Sequence, residues 1–433
     1  MTRRSTALLT DHYELTMIAA ARTHPAAARP CVFEVFARRL PDGRRYGVVA
    51  GTGRLLDALA DFRFGDEELA AVGEFLDGET LQWLADYRFT GDIDGYREGE
   101  LYFPGSPILT VRASFADAVV LETLILSILN HDSAIASAAA RMVTAAASRP
   151  IIEMGSRRTH EYAAVASSRA AYLAGVTATS NLEAARSYGV PSAGTAAHAF
   201  TLLFTDENGP NELAAFRTQV ERLGLGTTLL VDTYDITRGV ANAIEAAGPE
   251  LGAVRIDSGD LGILARQVRE QLDSLGAHRT KIVVSGDLDE YAIASLRAEP
   301  VDIYGVGTSL VTGSGAPTAG MVYKLVEIDG IPVAKRSSHK ESHGGAKAAA
   351  RIARRSGTVT EEVLYPWDAP APAVDGHTTT GLQTPLVRGG DPVDALPSLH
   401  GARDHLRDAL ITLPWEGLGL SHGEPAIPTR HAF

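Results

Sequence analysis

The feature of this sequence that most constrains the fold is a series of short apolar segments between residues 150 and 309, each ending in small or polar residues. The seven segments read PIIEMGSRR, GVTATSN, GVPSAGTAAH, TTLLVDTYD, GAVRIDSGD, KIVVSGD and VDIYGVGTS. Helical patterns follow several of them, and such alternation is typical of a parallel sheet. The repeats predict a sheet closed into a barrel, with an open doubly wound sheet as the alternative. In both folds, ligands bind beyond the carboxyl ends of the strands.

The regions on either side of this series have different patterns, which suggests three segments. Residues 1–120 mix helical and strand patterns and form an N-terminal α/β domain. Residues 121–325 form the α/β barrel. Residues 326–433 contain short strands, a Pro-rich connector and a final helix, and we expect them to pack on the N-terminal domain and complete it. The predicted fold class is therefore α/β, with an irregular TIM-like barrel and a second α/β domain completed by C-terminal strands.

Two local patterns give sharper expectations. The long Ala-rich stretch DAVVLETLILSILNHDSAIASAAARMVTAAA predicts two helices with a break near Asn130 and His131. The stretch YKLVEIDGIPVAKRSS predicts a hairpin that turns at Asp329 and Gly330, because Asp-Gly is a favoured two-residue turn.

Composition limits the kind of partner. A net charge of −13 and the lack of a basic stripe argue against nucleic-acid binding. The single cysteine, Cys31, rules out an internal disulfide framework. The longest apolar run, AVVLETLILSILN, contains Glu122 and is too short and too polar to span a bilayer. We expect a cytoplasmic protein that binds neither nucleic acid nor membrane.

The segment RIDSGDLG is the most informative strand end. Arg255 and Asp257 are two residues apart, so they share one face of a strand, and Ser258 opens a turn whose backbone N–H groups could face an anion. Arginine binds phosphate, and carboxylates bind Mg²⁺ that accompanies a phosphorylated sugar. The alternative is an ion pair that only rigidifies the barrel rim.

Two further strand ends are rich in glycine. Gly286 and Asp287 lie between a strand and a helix, and Gly307 and Thr308 do the same after the next strand. Glycine allows the backbone to approach a phosphate closely, whereas Asp287 could instead be an ordinary helix cap. Neither segment matches a Walker A loop or a dinucleotide-binding fingerprint.

His198, in GTAAHAF, has three interpretations: a packed core residue, a metal ligand or a reactive nitrogen. A metal site is disfavoured, because no HExxH motif or cysteine cluster accompanies the scattered histidines. Asp232 lies at the end of a strand, and a carboxylate near an imidazole fixes its tautomer and stabilises its protonated form. Strand-end acids therefore favour a functional role for His198 over simple packing.

Together, LLTDHYELTM, EMGSRRTHEYAAVASSRAAYLAGVTATSN, GTAAHAF, VDTYDI, VRIDSGDL and YGVGTSLVTGSGAPTAG resemble nicotinate phosphoribosyltransferase, in order from residue 8 to about residue 328. The resemblance implies an irregular, funnel-like α/β barrel on a second α/β domain, usually in a homodimer with shared active sites. It implies formation of nicotinate mononucleotide and pyrophosphate from nicotinate and phosphoribosyl pyrophosphate, coupled to ATP hydrolysis. Mg²⁺ and ATP are the implied cofactors, and the sequence assigns no residue as a metal ligand.

The resemblance also implies roles for individual residues. His198 is transiently phosphorylated by ATP, and Asp232 orients it. The pyridine and ribosyl sites include Tyr13, Arg157, Ser180, Arg255, Asp257 and Ser258, with Tyr13 contributed across the dimer. The loops that hold the 5-phosphate include Gly286, Asp287, Gly307 and Thr308.

The choice of base follows from the region around Ser180 and Asn181. The nicotinamide enzyme has an Asp near the amide there, whereas this chain has neutral side chains that suit an anionic base together with Arg157. Nicotinamide or quinolinate phosphoribosyltransferase remain alternatives, although quinolinate would need more basic residues. A sugar-phosphate aldolase or isomerase is a weaker alternative, since the strand ends contain no lysine and only one glutamate, Glu153.

One segment departs from the family pattern. In KRSSHKESHGGAKAAAR the three lysines Lys335, Lys340 and Lys347 lie at roughly matching places, but the usual Pro-Gly step has lost its proline. We expect this change to affect contacts on the ATP side of the site.

Overall fold

A computed structural model describes residues 4–335, 343–393 and 397–433. The chain divides into two compact units. The first unit comprises Met1–Ser137 and Thr318–Phe433, and the second comprises Ala138–Pro317.

The described residues form helices and strands along the whole chain. The α-helices are α1 (His12–Arg22), α2 (Thr52–Ala60), α3 (Asp66–Val72), α4 (Gly78–Asp86), α5 (Phe115–Val119), α6 (Glu122–Ala146), α7 (Glu161–Leu173), α8 (Leu182–Tyr188), α9 (His198–Leu203), α10 (Glu212–Leu223), α11 (Ile236–Ala247), α12 (Leu261–Ser274), α13 (Glu290–Ser295), α14 (Thr308–Val311) and α15 (Leu399–Thr412). The strands are β1 (Pro30–Ala37), β2 (Gly47–Val48), β3 (Asp92–Tyr96), β4 (Leu101–Tyr102), β5 (Leu109–Ser114), β6 (Ile151–Glu153), β7 (Ala178–Thr179), β8 (Thr205–Asp206), β9 (Gly209–Pro210), β10 (Thr228–Leu230), β11 (Ala253–Ile256), β12 (Lys281–Ser285), β13 (Ile303–Val306), β14 (Met321–Ile328), β15 (Ile331–Pro332), β16 (Lys347–Arg354), β17 (Val359–Pro366), β18 (His377–Gly381), β19 (Gln383–Arg388), β20 (Asp391–Pro392) and β21 (Thr429–His431).

The second unit is built on a parallel sheet with the strand order β10-β11-β12-β13-β6-β7. The remaining predicted segment, GVPSAGTAAH, extends this order by a single parallel bridge between Ser192 and Thr179. Its neighbouring backbone groups pair with Thr179 at 2.9 Å on both sides. The sheet is thus a partial barrel, and the predicted α/β fold class is confirmed.

Helices follow these strands because polar residues just past each strand cap the next helix. Asp235 caps α11 by accepting from the N–H of Arg238, and Asp260 caps α12 by accepting from the N–H of Ile263. Along β11, Val254 and Ile256 are fully buried on one face of the strand, whereas Arg255 lies on the opposite face. This arrangement gathers the polar turns at the carboxyl edge of the sheet.

The first unit contains a seven-stranded antiparallel sheet with the order β15-β14-β1-β5-β3-β19-β20. Its strands come from both ends of the chain, so C-terminal strands complete it as predicted. Phe33 of β1 stacks on Tyr323 of β14 at 4.8 Å between ring centroids. The predicted hairpin is also present, since β14 pairs with β15 and the turn residues Asp329 and Gly330 both have positive φ, 50° and 75°.

The predicted break near Asn130 and His131 is wrong, because α6 runs unbroken through both residues. Asn130 does not compete for the helix backbone. Its side chain instead accepts from the N–H of Met321 at 2.8 Å and from the hydroxyl of Thr318 at 3.1 Å. Partners far along the chain therefore satisfy the amide that the sequence pattern treated as a helix breaker.

The helical stretch Phe115–Ala146 is long and apolar enough to cross a membrane by length and composition alone. The apolar run considered by itself is shorter than this helix. However, 67% of the most apolar window is buried inside the protein, and Leu121, Leu124 and Ile125 belong to the core of the first unit. The burial is that of a core helix.

Candidate active site

The polar residues at the ends of β10 and β11 form one connected group. Asp232 follows β10, and its Oδ2 accepts from the backbone N–H of Asp257 and from the hydroxyl of Ser258, both at 2.8 Å. These two donors follow β11, which pairs directly with β10. Adjacent parallel strands therefore bring together acids that are 25 residues apart in the sequence.

Arg255 and Asp257 share one face of β11, as their spacing predicted. The Nη2 of Arg255 donates to Asp257 Oδ1 at 2.8 Å, and its Nε donates to the hydroxyl of Ser285 at 2.7 Å. Ser285 also donates to Asp257 Oδ1. Burial raises the pKa of Asp257, but the Ser285 hydrogen bond and the Arg255 charge outweigh it, so the pKa lies below its ordinary value.

His198 begins α9 and lies beside the Asp232 carboxylate. Its Nε2 is 4.0 Å from Asp232 Oδ1, and its Nδ1 is 3.1 Å from the hydroxyl of Thr233. The histidine side chain is 42% exposed, whereas that of Asp232 is 1% exposed. Within the described residues, Asp232 Oδ1 is buried without a hydrogen-bond partner. An accessible imidazole thus faces an unsatisfied buried carboxylate oxygen.

Three residues of this group went unnoticed in the sequence. Thr233 contacts His198, Ser285 bridges Arg255 and Asp257, and Thr195 accepts from Arg255 Nη1 at 3.2 Å. Each lies within three residues of a residue that was singled out. Taking every polar side chain of a strand end, rather than the charged ones alone, would have found them.

The loop after β12 approaches Asp257 closely. Gly286 has φ +110°, and a Cβ at this position would lie 2.6 Å from the carbonyl oxygen of Asp257. Asp287 also has a positive φ, 38°. The cap of α13 is Asp289, whose carboxylate accepts from two backbone N–H groups, so Asp287 is not the capping residue.

The loop after β13 is short and glycine-rich. Gly307 precedes Thr308, the first residue of the four-residue helix α14. The strand before it lies between β12 and β6 in the sheet. The two glycine-containing loops therefore follow adjacent strands and reach the same edge.

Arg157 and Ser180 follow the next two strands, β6 and β7. Arg157 is exposed in the turn after β6. Ser180 is also exposed, and its backbone N–H donates to the carbonyl of Glu153 at 2.8 Å. Asn181 caps α8 and donates from Nδ2 to the hydroxyl of Ser156 at 3.0 Å, which links the two turns.

Other predicted residues lie in the first unit. Tyr13 is on α1 with 46% of its surface exposed. Burial, followed by the charges of Glu122 and Glu14, raises the pKa of Tyr13 to about 12. Lys347 pairs with the buried Glu34 at 2.8 Å, whereas Lys340 lies outside the described residues.

We looked in the described ranges for groups of side chains that could bind a metal ion by themselves. Among those residues, no group of three or more His, Cys, Asp or Glu side chains could hold a metal ion.

Fold and edge chemistry together define an α/β partial-barrel protein whose strand ends present arginine, carboxylates, an accessible histidine and glycine-rich turns. Residues 8–130 match the family model described as the nicotinate phosphoribosyltransferase N-terminal domain. Nicotinate phosphoribosyltransferase pncB1 of Mycobacterium tuberculosis is 67% identical over 426 residues, covering 98% of this chain and 94% of that protein. The chain belongs to the nicotinate phosphoribosyltransferase family.

Solved structures give the same result. The human nicotinic acid phosphoribosyltransferase aligns with a TM-score of 0.81 at 26% identity, covering 98% of this chain and 97% of that one. The nicotinate-nucleotide pyrophosphorylase of Pyrococcus furiosus aligns with a TM-score of 0.78 at 25% identity, covering 94% and 95%. Both alignments extend over almost the whole of each chain.

Proposed function

We propose that this protein transfers the phosphoribosyl group of phosphoribosyl pyrophosphate to nicotinate, releasing nicotinate mononucleotide and pyrophosphate for NAD salvage, and couples this to ATP hydrolysis through His198. Family membership supports the reaction. The observation that carries the coupling is the accessible His198 imidazole, 4.0 Å from the unsatisfied buried oxygen of Asp232.

The transfer itself requires no protein nucleophile. The bond between C1 of the ribose and the pyrophosphate oxygen breaks with oxocarbenium character, and the nicotinate nitrogen takes the place of the leaving group. Catalysis then consists of holding the two reactants in line and compensating the charge of the pyrophosphate. Arg255, Asp257 and Ser258 suit the ribosyl region, because they form a rigid hydrogen-bonded group at one strand end. Backbone N–H groups around Gly286, Asp287, Gly307 and Thr308 would hold the 5-phosphate.

Mg²⁺ fits this edge as an ion shared with the substrate. Mg²⁺ is commonly held by one or two carboxylates together with substrate phosphates and water, and the Asp257 carboxylate at this edge could supply one of these ligands. When bound, the ion would compensate the negative charge of the pyrophosphate leaving group.

We assign His198 to the ATP step alone. The carboxylate of Asp232 can hold the imidazole proton on the Nε2 side and stabilise a positive ring. The γ-phosphoryl group would pass from ATP to the imidazole, leaving ADP, and water would later release it as phosphate. A phosphohistidine carries about two negative charges, which is enough to alter the order of neighbouring phosphate-binding loops. His198 would therefore control substrate affinity and product release.

The test is pyrophosphate release with nicotinate and phosphoribosyl pyrophosphate, measured with and without ATP. We expect nicotinate-dependent release that ATP stimulates, together with ³²P incorporation from γ-labelled ATP. His198→Ala should abolish labelling and stimulation while basal transfer persists. No nicotinate-dependent release would refute the reaction, and equal loss of basal and stimulated transfer would refute the separate role of His198.

The preference for nicotinate rests on the neutral side chains of Ser180 and Asn181, in the loop that Asn181 links to the turn carrying Arg157. Ser180 and Asn181 introduce no buried carboxylate that would repel the anionic base. Nicotinamide and quinolinate in the same assay serve as comparison substrates. Faster release with either one would assign the protein to that base instead.

We further propose a homodimer in the cytoplasm, with Tyr13 reaching the pyridine site of the partner. The exposure of Tyr13 leaves its ring available for such a contact. Light scattering after size exclusion, compared with Tyr13→Ala kinetics, tests this. A fully active monomer would contradict it.

A further inference from the structure

We propose that Glu153 is a positioning residue for the nicotinate site: its buried carboxylate holds the turn that carries Arg157 and the loop that carries Ser180. The two elements are the β6 turn, residues 154–158, and the β7 loop, residues 179–181. The inference rests on the proposed function, because it assigns these elements to the pyridine base.

Glu153 is the last residue of β6 and is 1% exposed. Its Oε1 accepts from the backbone N–H of Gly155 in the β6 turn. Its Oε2 accepts from the hydroxyl of Thr179 in the β7 loop and from the hydroxyl of Ser168 on α7 at 2.8 Å. One carboxylate therefore joins both elements to α7.

The β7 loop depends on this carboxylate through Thr179. The Thr179 hydroxyl donates to Glu153 and accepts from the backbone N–H of Asn181 at 3.0 Å. Asn181 in turn donates to Ser156 of the β6 turn at 3.0 Å. The chain of bonds closes into a ring that passes through both elements and sets the backbone at Ser180.

Close packing at Gly155 shows that the contact depends on glycine. A Cβ at Gly155 would lie 2.9 Å from Glu153 Oε1 and 2.3 Å from Cγ1 of Val311. Only a residue without a side chain lets the turn come this near to the carboxylate. Glu153 and Gly155 thus form a matched pair.

Glu153 acts through other residues and not on substrate. Its carboxylate is buried and points towards Ser168, which is itself 1% exposed on α7. All three groups that donate to it are neutral. Burying a carboxylate costs desolvation energy. The hydrogen bonds from three neutral donors offset part of this energy and fix the positions of the groups that make them.

The experiment compares Glu153→Leu, Glu153→Gln, Thr179→Val and the control Ser167→Ala. It measures KM for nicotinate, KM for phosphoribosyl pyrophosphate, kcat and thermal unfolding. Glu153→Leu leaves the Gly155 N–H without an acceptor, and we expect the nicotinate KM to rise about tenfold, the equivalent of about 1.4 kcal/mol. The phosphoribosyl pyrophosphate KM should rise less than about threefold. Glu153→Gln should recover most of the loss, since its amide oxygen can accept from Gly155 and its NH₂ can donate to the two hydroxyls.

Thr179→Val should raise the nicotinate KM in the same direction, about threefold, and it decides the question if Glu153→Leu does not fold. Ser167→Ala changes another buried serine of α7, whose hydroxyl has no hydrogen-bond partner among the described residues, and it should leave the nicotinate KM unchanged. A nicotinate KM within about twofold of wild type in folded Glu153→Leu and Thr179→Val, or an equal rise in both KM values of these variants, would overturn the inference. Absence of nicotinate-dependent release from the wild type would instead refute the proposed function.

Discussion

Gly286→Ala is the substitution for which the structure gives the clearest magnitude. Gly286 follows β12 and has φ +110°. An alanine Cβ would lie 2.6 Å from the carbonyl oxygen of Asp257 in the loop after β11. The change therefore strains its own backbone and pushes two neighbouring loops of the candidate site apart.

The loss in free energy of unfolding caused by Gly286→Ala is the sum of two contributions. A side chain on a left-handed backbone costs roughly 1–2 kcal/mol. Forcing a methyl group into occupied space costs roughly 1–3 kcal/mol more. We expect the free energy of unfolding to fall by about 2–5 kcal/mol, less whatever the loops relieve by moving. Movement of the loops would appear as a raised KM for phosphoribosyl pyrophosphate.

Gly276→Ala is the matched control. Gly276 also has a positive φ, 78°, but nothing lies within 4 Å of its would-be Cβ. In Gly276→Ala the free energy of unfolding should fall only by the backbone contribution, about 1–2 kcal/mol, and the KM for phosphoribosyl pyrophosphate should stay at the wild-type value. Urea unfolding and initial-rate kinetics on both variants decide the matter. Equal stability loss in the two variants, with no change in KM for Gly286→Ala, would refute the reasoning.

Two further predictions concern charges. Arg351 is buried between Glu100, at 3.0 Å, and Glu362, at 2.8 Å; Arg351→Leu should lower the free energy of unfolding by about 3–5 kcal/mol in urea, since it leaves buried carboxylates uncompensated. Arg186→Leu, at an exposed arginine, serves as the control. If Arg351→Leu lowered the free energy of unfolding no more than Arg186→Leu does, the prediction would be contradicted. The folded-state pKa of Asp257 is depressed, so its stabilising contribution is present above the unfolded pKa of about 3.9 and is lost as pH falls through the lower folded value. The stability difference between wild type and Asp257→Asn should therefore shrink as the pH falls below about 4, and a constant difference would be inconsistent with the lowered pKa.

Local sequence predicted the parts of the fold that local chemistry determines. Apolar segments with polar ends predicted the parallel sheet, and an Asp-Gly step predicted the hairpin at Asp329. Asn130 failed as a helix breaker because its partners, Thr318 and Met321, lie 188 and 191 residues away. The segment GVPSAGTAAH, predicted to form a strand, makes only one bridge, at Ser192, because its small and polar residues offer little apolar surface to bury.

In the candidate site too, local sequence predicted some features, whereas others depend on contacts between distant segments. Alternation along a strand predicted that Arg255 and Asp257 share a face, and they do. The distance between His198 and Asp232 depends on how α9 approaches the sheet, which no spacing within either segment contains. The sequence marked Glu153 only as the one glutamate at a strand end. Its positioning role could not be predicted, because its three partners come from a turn, a helix and a neighbouring strand.

The strand-end edge reconciles two requirements that conflict at first sight. Its substrates in the proposed function are anions, yet the chain has a net charge of −13 and the edge contains carboxylates. Asp257 has its charge balanced by Arg255, and Asp232 has one oxygen satisfied by a backbone N–H and a hydroxyl. These acids therefore repel a phosphate less than their formal charge suggests. Phosphate binding can then rest on backbone N–H groups of the glycine-rich loops, whose dipoles act locally and do not depend on the overall charge. The oxygen left over, Asp232 Oδ1, faces His198. There it can stabilise the positive imidazole ring to which the proposed ATP step attaches the negatively charged phosphoryl group.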